Sequence, residues 1–178
     1  MKRVHSLSAF LISLFLVLTL TAPASAFLDS KFEKEVEKEK AAVKLARETK
    51  RGGYDLVTVT ELKKWIDQGK DMVLVDTMPY EASYKKAHVP TAKQFLFPIP
   101  EMTSWDSENT GGKTVEDFKA LLGSDKEKTV VIYCGFVKCT RSHNGAMWAE
   151  KLGYENVYRF SGGIYAWKGA GFEAAKVE

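Results

Sequence analysis

Apolar positions change their rhythm several times along this chain. From Leu7 to Leu20 they form a nearly unbroken run behind Lys2 and Arg3, and "TAPASAF" follows, with Ala24 and Ala26 at small-x-small spacing. The run is shorter than the roughly 20 apolar residues that span a bilayer, so the pattern predicts a secretory signal peptide, residues 1–26, cleaved after Ala26. From Asp29 to Arg51 the apolar residues thin out to Phe32, Val36, Val43 and Leu45 among alternating acids and bases, with no Gly or Pro before Gly52-Gly53. That spacing predicts a charged helix, set as an extension over 27–53, that docks by a thin stripe or acts as a spacer.

From residue 54 to 178 the pattern alternates between strand and helix. "YDLVTV" reads as a strand, Thr60 as the cap of helix "ELKKWIDQG", and "MVLVD" as a strand covered on both faces. A short helix is expected around Glu81 to Lys86, a strand in "HVPTAKQFLF", and a long loop from Pro98 to Gly112. Helix "VEDFKALLG", strand "TVVIYC", helix "RSHNGAMWAEKLG", strand "NVYRF" and a last helix near Ile164 complete the series. Such alternation predicts an α/β fold: one domain with a parallel sheet and helices on both faces. The ligand site of such a sheet lies where strands end and helices begin.

Charge narrows the partners. The full chain carries +3, and loss of residues 1–26 removes Lys2 and Arg3, leaving +1. A near-neutral chain gives no electrostatic case for nucleic acid, and once the leader is cleaved no stable membrane insertion is expected. A protein partner is not legible.

The only two cysteines, Cys134 and Cys139, stand in one loop, "CGFVKCTRS". Four residues separate them, so a disulfide would close too small a loop to stabilise much by chain entropy. A thiol between a strand end and a helix start meets unpaired backbone N–H groups and the positive end of the helix dipole. Lys138 and Arg141 add fixed charge, so one loop cysteine should fall below the free thiol value of about 8.5. The same cradle, formed by Gly135, Phe136, Val137, Lys138, Thr140 and Arg141, suits an anionic substrate such as a sulfur oxyanion or a phosphate. Cys134, fixed at the strand end, is the expected nucleophile, and Cys139 the redox or resolving partner. Neither a zinc spacing nor C-x-x-C-H is present around His143, so neither metal nor cofactor is expected.

At these residues the chain resembles the rhodanese family of single-domain sulfurtransferases, from about Leu56 to Phe172. "VLVDTM" precedes a short helix, and "YKKAHVPTA" is similar to Y-x-x-G-H-I-P-G-A. "VVIYC…RS" resembles the family's active-site loop, and "GGIYAW" its closing G-G-x-x-x-W. The resemblance implies that a sulfane sulfur from a small anionic donor, of thiosulfate or polysulfide type, passes through a Cys134 persulfide to a thiol or other thiophilic acceptor. It also implies that His88 fixes a turn; the residues give Asp76 a supporting place at its strand end. Three departures stand out: six residues rather than four between Cys134 and Arg141, Asp76-Thr77-Met78 in place of D-x-R, and Ala87 and Thr91 in place of glycines. Cys139 lies within the enlarged loop, which suggests redox gating. A thiol-disulfide redox or sulfur-carrier protein is the alternative, and a cysteine phosphatase or arsenate reductase a further one.

Overall fold

The computed structural model describes residues 24–177, with side chains from residue 30. The apolar run of the expected leader lies outside the described residues. Among the described residues, no helix is long and apolar enough to cross a membrane. The chain divides into two compact units, Met1–Val36 and Glu37–Glu178. Helix α1 (Ala24–Gly52) enters the second of these units at Glu37 and stays in it to its end.

Five parallel strands follow, β1 (Asp55–Val57), β2 (Met72–Asp76), β3 (Lys93–Gln94), β4 (Thr129–Tyr133) and β5 (Val157–Phe160), in the order β1-β5-β4-β2-β3. Helices α2 (Val59–Asp67), α3 (Val115–Leu122), α4 (Thr140–Lys151) and α5 (Gly163–Gly169) connect or close them. Side chains alternate across the sheet, as the two-residue repeat of a strand requires. Val130 and Ile132 of β4 join Phe118, Leu122, Ala146 and Ala149 of α3 and α4 in one core layer. Val131 and Tyr133 join Leu62, Ile164 and Trp167 of α2 and α5 in the other. The central strand is buried along its whole length, which is why it reads as a continuous apolar run.

Local chemistry corrects some expected boundaries. Helix α2 is capped by Thr58 rather than Thr60: Thr58 Oγ1 accepts from Glu61 N–H, and the Glu61 carboxylate accepts from Thr58 N–H. This reciprocal box leaves Thr60 inside the first turn. "HVPTAKQFLF" yields only two strand residues, although Phe95 N–H still donates to the Asp76 carbonyl at 2.9 Å. Phe95 and Phe97 then bury their rings in the core. Thr91 has φ 71°, the left-handed conformation that explains a glycine in the family pattern at this position. The expected helix near Glu81 is a single wide turn over Tyr80–Tyr84.

Candidate functional site

β4 delivers Cys134 to the carboxyl end of the sheet, and the chain needs five more residues to reach Cys139, the N-cap of α4. Cys134 is buried, and Ser142 Oγ donates to its sulfur at 3.5 Å. Two close approaches hold the loop from below. Ile164 N–H donates to the Cys134 carbonyl at 2.9 Å, and Tyr165 N–H to the Gly135 carbonyl at 3.0 Å. Gly163, at φ 58°, lies so close that a Cβ there would stand 2.1 Å from the Cys134 carbonyl oxygen.

Arg159 of β5, fully buried, organises the other side of the loop. Its Nη2 donates to the carbonyls of Val137 and Cys139 at 3.1 and 2.8 Å. Its Nε donates to Ser142 Oγ at 2.9 Å, and its Nη1 to Glu48 Oε2 at 2.6 Å and Tyr54 Oη at 3.2 Å. A trans peptide carries its N–H opposite its C=O. Drawing these two carbonyls onto Arg159 therefore turns the N–H groups of Lys138 and Thr140 the other way. Together with the free N–H groups of the first turn of α4, they make an anion cradle. Nothing in the sequence reading singled out Arg159, Ser142 or Glu48.

The thiols divide differently from the expectation. Burial pushes the Cys134 thiol well above its usual value, with the neighbouring Cys139 sulfur acting in the same direction. Cys139 is half-buried, and its pKa falls to about 6. The hydrogen bond from Cys134 is the main cause, followed by the backbone N–H groups of Arg141 and Gly135 and the Arg141 charge, against opposing burial. The enlarged loop carries Cys139 to the N-terminus of α4 and leaves Cys134, the expected nucleophile, buried beneath it, so Cys139 is the more accessible of the two thiols.

The other expected site residues fall as follows. Gly135 and Arg141 contribute backbone N–H groups to Cys139. The Arg141 guanidinium donates to the Phe97 carbonyl, so it braces the neighbouring segment. Lys138, expected to charge the cradle, is paired with Glu37 on α1. Thr140 Oγ1 accepts from Lys44 Nζ at 3.0 Å. Val137 offers its carbonyl to Arg159, while Phe136 stands exposed and stacks on Tyr165, ring centroids 5.6 Å apart. His88 is stacked on Tyr84 with its Nδ1 2.9 Å from the Tyr84 carbonyl oxygen. His143 is buried, its Nδ1 2.9 Å from Tyr54 Oη. Among the described residues no group of His, Cys, Asp and Glu is arranged to hold a metal ion.

Asp76 is fully buried beside this loop. Its Oδ1 accepts from Met78 N–H at 2.9 Å, and its Oδ2 has no partner. Burial raises its pKa to about 6, with the Met78 N–H and Tyr133 opposing and the negative charge of Cys139 adding to the rise. A carboxyl whose folded pKa lies above its unfolded value favours the fold at low pH, and the benefit disappears as pH rises through about 6. Asp76→Asn should therefore gain stability relative to wild type between pH 5 and pH 8. The two pKa values bound that gain at about 3 kcal/mol, and urea unfolding at the two pH values measures it. An unchanged difference between the two proteins across that range would refute this reading of the carboxyl.

A parallel sheet that carries two thiols in the loop between a central strand and a helix defines a class of α/β proteins with a cysteine loop. The chain belongs to the rhodanese-like domain family, whose model matches residues 58–170. A tRNA uridine(34) hydroxylase of Bordetella parapertussis is 29% identical over 130 residues, covering 70% of this chain and 48% of that protein. The chain thus spans about half the length of that curated relative. The fold is shared with a thiosulfate sulfurtransferase from Pseudomonas aeruginosa, at TM-score 0.56 and 18% identity over 78% of this chain and 23% of that one. It is also shared with the polysulfide-sulfur transferase homodimer of Wolinella succinogenes, at TM-score 0.51 and 15% identity over 87% and 94%.

Proposed function

We propose that the protein is a sulfurtransferase that takes a sulfane sulfur from a small anionic donor and passes it to a thiophilic acceptor. The observation that carries this reading is the pair of free thiols in one strand-to-helix loop, with Cys139 accessible at the N-terminus of α4 beside the N–H groups of Gly135 and Arg141, and Cys134 buried beneath it. With thiosulfate, the thiolate attacks the outer sulfur. A new S–S bond forms, the old one breaks, and its electron pair leaves with sulfite. The cradle stabilises both the departing oxyanion and the persulfide that remains. A polysulfide reacts in the same way, expelling a shorter polysulfide. An acceptor then removes the outer sulfur and restores the thiolate. Sulfurtransferases among proteins sharing the fold support the reaction class.

The accessibility of Cys139 favours it over Cys134 as the carrier, with Cys134 as the buried neighbour whose thiol donates to the Cys139 carbonyl at 3.7 Å. That proximity also supports gating: Cys134 attacking the inner sulfur of a Cys139 persulfide would expel hydrosulfide and leave a Cys134–Cys139 disulfide, inactive until reduced. The same pair supports a second reading, a thiol-disulfide redox protein. Export to the periplasm or beyond belongs to the proposal as well, supported by the basic-apolar-small order of residues 1–26.

Thiocyanate formation from thiosulfate and cyanide tests the activity. Wild type should turn over, Cys139→Ser should fall to background, and Cys134→Ser should retain measurable turnover. No thiocyanate from wild type with either thiosulfate or polysulfide, alongside disulfide exchange with a dithiol, would favour the redox reading.

A further inference from the structure

A cleft of 520 Å³ opens between the second half of α1, the segment at Ile99 to Glu101, and Thr140 at the start of α4. One wall lies outside the residues that the family model matches, because α1 ends at Gly52 and the match begins at residue 58. Lys40, Lys44, Arg47 and Arg51 line it. Their spacing of four, three and four residues places them on one face of the helix, a basic stripe about 16 Å long.

Most of that charge is already answered. Lys40 pairs with Glu37 at 3.3 Å and Arg51 with Glu101 at 2.9 Å. Lys44 shares Glu48 with Arg159, so two cations meet one carboxylate. Glu39 also faces the cleft. Arg47 has no ion pair among the described residues and stands one turn from Lys44. Among the lining residues themselves, Lys40, Lys44, Arg47 and Arg51 meet Glu39, Glu48 and Glu101, an excess of one positive charge. Beside it lie Val43 and Ile99, 38% and 62% exposed, which are large apolar side chains left open to solvent. The cleft thus offers one anion position, an apolar floor, and an end at the residue that follows Cys139.

We infer that this cleft is the acceptor subsite and takes a small organic thiol bearing one acid group, its carboxylate on Arg47 and its stem over Val43 and Ile99. The inference rests on the sulfur-transfer reading and names the acceptor's chemistry. The acceptor thiolate attacks the outer sulfur of the persulfide; one S–S bond forms as the other breaks. The electron pair returns to the enzyme thiolate, and the acceptor leaves as a persulfide. No oxidant or reductant is consumed. Cyanide has no acid group and no stem, so its reaction is independent of the cleft.

The test loads full-length protein with thiosulfate and measures kcat/KM, per acceptor thiolate, for 3-mercaptopropionate, 2-mercaptoethanol, 2-mercaptoethylamine and cyanide. A charge-assisted hydrogen bond predicts a preference of roughly tenfold or more for 3-mercaptopropionate over the neutral thiol, with the cationic thiol poorest. The exposed Arg47→Glu should abolish that preference, Arg47→Lys should retain part of it, and the cyanide rate should stay unchanged in both. Cyanide turnover with no preference for the acid thiol, or with a preference that survives Arg47→Glu, overturns the inference and leaves sulfur transfer standing. Absence of turnover with every acceptor overturns both.

Discussion

Replacing Arg159 with leucine should cost up to about 3–5 kcal/mol of stability, because it leaves the buried Glu48 carboxylate with the partly exposed Lys44 as its one remaining cation. Glu48 Oε2 stands 2.6 Å from Arg159 Nη1, and both side chains are almost wholly excluded from solvent. The same substitution releases the carbonyls of Val137 and Cys139 and the hydroxyl of Ser142, so the cradle should lose its shape as well. Urea unfolding should show the loss, and the double variant Arg159→Leu, Glu48→Leu should recover much of the stability by removing the buried carboxylate. It should not recover the thiolate. The alkylation midpoint of Cys139 should rise from about 6 toward the free thiol range in both variants. If the double variant regained the low midpoint, Arg159 would be a stability residue with no hold on the loop.

Gly163→Ala should be the most damaging small substitution in the chain. Its Cβ would stand 2.1 Å from the Cys134 carbonyl oxygen and 2.8 Å from the Gly135 carbonyl carbon, both backbone atoms that cannot swing aside. The position also has φ 58°, which costs an L-residue about 1 kcal/mol before any clash. The loop must therefore move, and a displacement of the order of 1 Å can reduce turnover by about 10²-fold. Gly171→Ala is the control: it has φ 78° and nothing within 4 Å of the added Cβ, so it should carry the backbone cost alone and keep its activity. Equal turnover in the two variants would mean that the contact beneath Cys134 does not position the site.

The scaffold was legible wherever its signal was local. Strand β4 is a run of five buried residues and looks like one; Gly162-Gly163 and Trp167 stand in a recognisable closing motif. The site itself was only half legible. Two thiols at a strand-to-helix turn pointed to nucleophilic chemistry, but which thiol is accessible depends on how the longer loop folds, and loop length alone cannot show that Cys134 is left underneath. Arg159 was missed because a lone arginine in "NVYRF" suggests a surface position. Its alternation with Phe160 on a sheet covered on both faces was the available clue: β5 has both neighbours paired, so one face of Arg159 had to be interior and partnered. Glu48 is hidden in the same way. In a helix where acids and bases alternate throughout, nothing local distinguishes the one carboxylate that turns inward, and its partner is 111 residues away.

Locating the sulfur tests the central claim most directly. Reduced protein is incubated with thiosulfate, the persulfide is trapped by alkylation, and peptide mass mapping identifies the residue that carries it. The account predicts one added sulfur, on Cys139, lost on addition of cyanide and absent from Cys139→Ser. Sulfur on Cys134 with Cys139 unmodified would contradict the assignment of the thiolate, and no added sulfur from either thiosulfate or polysulfide would contradict sulfur transfer itself.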